Sequence, residues 1–106
     1  LIEAFKSTLL EAIHADVILH VIDAGDARMD EKIKTVEEIL REIGIDTKKQ
    51  IFVFNKSELI AVEQRKEMFK RYSAYSPQFI SAQKGEGMEE LFVTLAESLK
   101  DFNPAW

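Results

Sequence analysis

Two short polar stretches hold the side chains best suited to chemistry: Asn55-Lys56-Ser57-Glu58, and Ser81-Ala82-Gln83-Lys84-Gly85. Brought together, they suit recognition of guanine. That base offers N1–H and its exocyclic amine as adjacent donors, and one carboxylate accepts from both. Adenine presents an acceptor at N1 and no amine at C2, so a carboxylate rejects it. Hydrogen bonds to charged groups are worth about 1.5–3 kcal/mol each, and leaving a buried one unpaired costs a comparable amount, so two of them discriminate strongly. In such a site Glu58 supplies selectivity, and Asn55 braces the two loops and reaches the N7 side of the purine. The Lys56 stem packs on the ring, and the Ala82 backbone N–H donates to O6 while Ser81 closes over the base. The alternative is ordinary turn chemistry, with Asn55 as a turn former and Ser81 as a cap.

The elements that must position these loops alternate between helix and strand, without repeats or low-complexity stretches, as a parallel sheet with helical crossovers requires. Ile2, Phe5, Leu9, Ala12 and Ile13 share one face of a helix over 1–13. Residues 16–23 form a nearly unbroken apolar run, which reads as a strand covered on both faces. Ile33, Val36, Ile39, Leu40 and Ile43 recur at helical spacing over 30–43, and Gly44 stands where a left-handed cap belongs. Residues 50–54 are β-branched and aromatic, a second strand. A helix through Glu63, Met68 and Tyr72 follows, with Glu67 and Arg71 in the favourable i, i+4 order. Pro77 introduces a third strand over 78–80. The loop 81–87 leads to a last helix, for which Met88, Leu91, Phe92, Leu95 and Leu99 predict a buried stripe. The expected fold class is α/β, a three-layer parallel sheet in (αβ)3α order. In such sheets ligands bind beyond the carboxyl ends of the strands, where both polar loops fall.

Composition narrows the function classes. The 106 residues suffice for one small domain, and 46% hydrophobic with 31% charged residues is a globular balance. No apolar run approaches the roughly 18 residues of a membrane span, and residues 1–15 are amphipathic rather than signal-like. No membrane partner is expected. Zero cysteine excludes disulfides and thiolate metal sites, and fits a cytoplasmic protein. Fourteen basic against nineteen acidic residues give a net charge of −5, so general attraction to phosphate backbones is not expected.

Other polar residues have plainer readings. Asp23 and Asp26 suit a loop and helix cap, His20 a histidine satisfied in the core, and His14 a helix-end partner. Arg65, Lys66, Lys70 and Arg71 are interleaved with Glu63 and Glu67 and read as a solvated helix face. No catalytic and no metal-ligating residue is expected within this chain.

Asn-Lys-x-acid after one strand and Ser-Ala-x-x-Gly after the next resemble the fourth and fifth motifs of translation-factor-type GTPases. The opening, Leu-Ile-Glu-Ala-Phe-Lys-Ser-Thr-Leu followed by Ala-Asp-Val-Ile-Leu-His-Val-Ile-Asp-Ala, resembles the HflX family just after its switch II region. The resemblance implies that residues 1–102 are the C-terminal portion of a GTPase domain, half of a P-loop fold, with 103–106 as a tail. It implies GTP or GDP as ligand, held by Asn55, Lys56, Glu58, Ser81 and Ala82. It also implies Mg²⁺ bound by residues outside this chain, and the large ribosomal subunit as partner of a cytoplasmic protein.

Two departures qualify the likeness. The family pattern has aspartate where this chain has Glu58, one methylene longer. No G-x-x-x-x-G-K-[ST] occurs, since the four glycines are Gly25, Gly44, Gly85 and Gly87 and none is followed by lysine. Nor is there an Asp-x-x-Gly segment. Phosphoryl transfer rests on positioning and charge around the phosphates, so GTP hydrolysis by this chain alone is not expected. In the parent fold the phosphate-loop strand would pair with the strand at 17–22, and an unpaired apolar edge there is expected to self-associate. The alternative function is a degenerate, non-catalytic α/β interaction module.

Overall fold

The computed structural model describes residues 13–100. The predicted helix over 1–13, apart from Ile13, and the tail over 103–106 lie outside the described residues. Along the chain come β1 (Val17–Asp23), α1 (Met29–Glu42), β2 (Lys49–Asn55), α2 (Val62–Arg71), β3 (Gln78–Phe79) and α3 (Met88–Lys100). Short 3-10 turns at Ser57–Leu59 and Ser73–Tyr75 precede and follow α2. The fold is α/β, as its alternating pattern predicts.

Local chemistry explains the boundaries. Asp30 and Glu31 occupy the first turn of α1 and Arg41 the last, matching the helix dipole. The chain then leaves through Gly44 at φ 79°, where the Gly44 and Ile45 amides donate to the Arg41 and Leu40 carbonyls. At the start of α2 the Gln64 side chain accepts from the Ala61 amide at 2.9 Å. The third strand ends one residue earlier than expected, although the Ile80 amide still donates to the Phe54 carbonyl at 2.9 Å.

The sheet is parallel in the order β1-β2-β3. β1 and β2 pair in register from Val17↔Lys49 to Asp23↔Asn55, so their carboxyl ends are level. Alternation along β2 divides the core. Phe52 and Phe54 face α1 and α2, joining Ile22, Met29, Ile33 and Met68. Ile51 and Val53 face α3, joining Ile80 and Leu91. The first layer is aromatic: Phe52 stacks on Tyr75 at 4.3 Å, and Phe54 stacks on Phe79 at 5.2 Å. This rigid packing fixes the strand ends that carry the polar loops.

Two expectations are corrected. β1 is not covered on both faces: Ile22 is buried, but Leu19 and Val21 on the opposite face are 41% and 63% exposed. From β1, Val17 packs on the cluster beneath α3. In the α3 stripe, Leu91 is buried and Met88 and Leu95 pack on the same cluster, but Phe92 is 59% exposed. It sits about 100° around the helix from Leu91, off the line that meets the sheet.

Candidate functional site

The candidate site lies beyond the carboxyl ends of the three strands. β2 ends at Asn55, and Lys56 adopts a left-handed conformation (φ 62°, ψ 37°) that turns the chain into the 3-10 segment. Ser57 is buried, and its amide donates to the Ile80 carbonyl at 3.0 Å. The loop after β2 is thereby sewn to the end of β3. The loop after β3 closes on itself through paired Ser81 and Glu86 backbone bonds of 3.0 and 3.1 Å. It returns to α3 through Gly87, at φ 78°, where a Cβ would lie 2.3 Å from the Phe79 carbonyl oxygen.

Side chains then tie the loops to one another. The Ala82 amide donates to Asn55 Oδ1 at 3.0 Å, and the Ser81 hydroxyl donates to Glu58 Oε1 at 3.1 Å. Ser81 is fully buried, and its Oγ also accepts from the Lys84 amide at 3.3 Å. Asn55, Glu58, Ser81 and Ala82, more than twenty residues apart in sequence, therefore meet at one mouth. Glu58 Oε2 is buried and accepts no hydrogen bond within the described residues. A buried carboxylate oxygen without a donor is costly.

Two predicted site residues have partners the sequence did not suggest. The Ala82 amide, assigned above to a purine O6, is donated here to Asn55. Lys56 Nζ reaches across to Asp23 Oδ2 at 3.0 Å, linking the β2 loop to the end of β1. Asp23 also accepts from the Gly25 amide at 2.9 Å. The Lys56 ammonium, aided by that amide, lowers the Asp23 pKa, and Asp23 in turn raises that of Lys56. Asp26 accepts from the Arg28 amide at 2.8 Å and pairs with Lys32, so both aspartates brace the loop; neither caps α1, whose N-cap is Arg28 with no side-chain cap hydrogen bond.

The basic helix face is not uniformly solvated. Arg65 is half-buried, and its Nη2 donates to the Ser57 carbonyl at 2.8 Å. Arg71 donates to both Asp30 oxygens at 3.0 and 2.9 Å and pairs with Glu67. Tyr72 donates its hydroxyl to Asp30, and this bond, with Arg71, lowers the Asp30 pKa. Interleaved charge gave no hint that Arg65 turns inward, because its acceptor is a backbone carbonyl outside the helix. His20 meets Phe52 edge-on at 5.0 Å, and burial lowers its pKa to about 4. Among the described residues no group of three acidic, histidine or cysteine side chains can hold a metal ion. No helix among them is long and apolar enough to cross a membrane.

No family model matches the chain. Curated relatives do. Over 101 residues it is 44% identical to the GTPase HflX of Lacrimispora saccharolytica, which covers 95% of this chain and 23% of that protein. The GTPase HflX of Escherichia coli is 38% identical over 93% of this chain and 23% of its own length. That of Chlamydia pneumoniae is 35% identical over 95% of this chain and 21% of its own. The chain thus spans less than a quarter of the length of these relatives. With nearly all of its length matched at this level, and with both polar loops meeting at one mouth, the chain belongs to the HflX family.

Proposed function

We propose that this chain supplies the guanine-binding part of a GTPase domain, residues 1–102 forming its C-terminal portion. GTP hydrolysis, Mg²⁺ and phosphate binding then depend on residues outside this chain. One observation carries the reading. The buried, unpartnered Glu58 Oε2 sits beside the Ser81 hydroxyl, at a mouth braced by Asn55 and Ala82. A guanine offers the donors that this oxygen lacks, and adenine does not. The relatives' names support GTP as the nucleotide. Family resemblance further supports a cytoplasmic protein acting on the large ribosomal subunit.

The test is titration of the full-length protein with GDP and with ADP. Two hydrogen bonds to a carboxylate predict a preference for GDP of at least about 100-fold, lost in Glu58→Ala. The Ser81 contact seats the longer glutamate, so Glu58→Asp is expected to weaken GDP binding about tenfold, its carboxylate falling short by about one bond length. Equal binding of GDP and ADP would overturn the reading. It would favour a non-catalytic module instead, a possibility raised by Glu58 replacing the family's aspartate. Sedimentation of the 106-residue chain tests the free edge of β1, where Leu19 and Val21 predict self-association.

A further inference from the structure

We propose that Arg65 is a positioning residue for guanine selectivity, holding the turn from which Glu58 projects; this rests on the guanine-binding reading above. The Ser57 peptide is gripped from two sides. Its amide donates to the Ile80 carbonyl at 3.0 Å, and its carbonyl accepts from Arg65 Nη2 at 2.8 Å. Ser57 lies between Lys56, whose left-handed backbone is uncommon for a side-chain-bearing residue, and Glu58 itself. Within the turn, only two backbone bonds oppose rotation of this unit: Leu59 N–H to the Lys56 carbonyl at 2.9 Å, and Ile60 N–H to the Ser57 carbonyl at a longer 3.3 Å. A short 3-10 turn has weak internal bonds, so an outside clamp decides its geometry.

Arg65 is suited to that task. It projects from α2, whose Met68 is anchored in the aromatic layer, so the clamp is fixed to the core. Its side chain lines a cleft of about 420 Å³ behind the loop, together with Phe69, Phe79, Glu86 and Glu90. Rotation of the Ser57 peptide would displace Glu58 by more than hydrogen-bond tolerance, so the clamp acts on the base edge and not on the phosphates.

The experiment titrates the full-length protein and its Arg65→Met and Arg65→Lys variants with GDP, inosine diphosphate and ADP. Inosine diphosphate lacks the exocyclic amine, so displacing the carboxylate removes one bond from it and two from GDP. Arg65→Met is expected to shrink the preference for GDP over inosine diphosphate about tenfold, and Arg65→Lys, which keeps a donor, to recover part of it. Without nucleotide, the Leu59 and Ile60 amides should exchange faster in Arg65→Met, while the Ser81 and Glu86 amides do not. Arg65→Gln serves as the third variant if Arg65→Met does not fold. An unchanged preference, or equal loss for GDP and inosine diphosphate, would overturn the role of Arg65 alone. A wild-type protein that does not distinguish GDP from ADP would overturn this role and the guanine reading together.

Discussion

Val21 and Val53 are the same residue on neighbouring strands, paired in register. Yet Val53 is 1% exposed and Val21 63%. The difference comes from cover rather than sequence. β2 has α1 and α2 against one face and α3 against the other, whereas β1 has helical cover on the face of Ile22 and, among the described residues, none over Leu19 and Val21. An apolar run reports that a strand can be buried on both sides; it does not report whether the residues in view supply the second layer. The same contrast holds at the strand ends. β2 and β3 end in loops cross-linked by Asn55, Glu58, Ser81 and Ala82, while β1 ends in Asp23, held to that mouth through Lys56.

The largest expected effect tests the covered strand. Phe54→Ala removes a fully buried ring stacked on Phe79 and should cost about 3–5 kcal/mol in denaturant unfolding. Val53→Ala should cost about 2–3 kcal/mol, and Val21→Ala no more than about 0.5 kcal/mol in the 106-residue chain at dilutions where it is monomeric. Should Val21→Ala cost as much as Val53→Ala there, the asymmetry between the strands would fail. A large cost for Val21→Ala in the full-length protein alone would sharpen the comparison, since it would show that the rest of that protein covers β1.

Next comes the mouth. Gly87→Ala places a methyl 2.3 Å from the Phe79 carbonyl oxygen at a left-handed position, and should cost about 2–3 kcal/mol. Gly44 shares the left-handed backbone, at φ 79°, but has open space around it, so Gly44→Ala should cost about 1 kcal/mol. Parallel denaturation curves for the two variants isolate the steric part. Equal costs would mean that the β3–α3 junction can shift to make room.

These contrasts also mark what sequence could and could not convey. The periodicity of α1, its Gly44 exit and the β-branched and aromatic run of β2 are local signals, and each element formed where local preference and burial agree. The meeting of Asn55 and Glu58 with Ser81 and Ala82 was legible because parallel strands place their following loops at one end of the sheet. Three features were not. Exposure of Val21 and Phe92 depends on which elements cover them. The Asp23–Lys56 link joins residues 33 apart in the chain. The inward turn of Arg65 depends on a carbonyl orientation that no side-chain pattern encodes.

A smaller loss tests the cross-link while leaving the Glu58 carboxylate in place. Ser81→Ala removes the hydroxyl that donates to Glu58 and leaves the neighbouring backbone bridge to Glu86 intact. It should cost about 1–2 kcal/mol in unfolding. Ser81→Thr, which keeps the hydroxyl, should cost less if the fully buried site accepts a methyl, and the pair separates the hydrogen bond from packing.

The smallest effect is a pH slope, and it tests whether the covered face of β1 behaves as interior. His20 points toward Phe52, and burial lowers its pKa from an ordinary 6.5 to about 4. Between those values the unfolded chain binds a proton that the folded chain refuses, so stability falls as pH drops from about 6.5 to about 4 and is constant in this term outside that window. Asp23, Asp26 and Asp30, whose pKa values are also lowered, lose their contribution only as pH falls below the ordinary carboxylate value of 3.8. The two windows therefore separate. Denaturant midpoints followed from pH 7 to pH 4 should decline in the wild-type chain and stay nearly level in His20→Leu. A His20 resonance titrating near 6.5 would instead mean that water reaches this face of β1 as freely as it reaches Val21, and the distinction between the two sides of that strand would disappear.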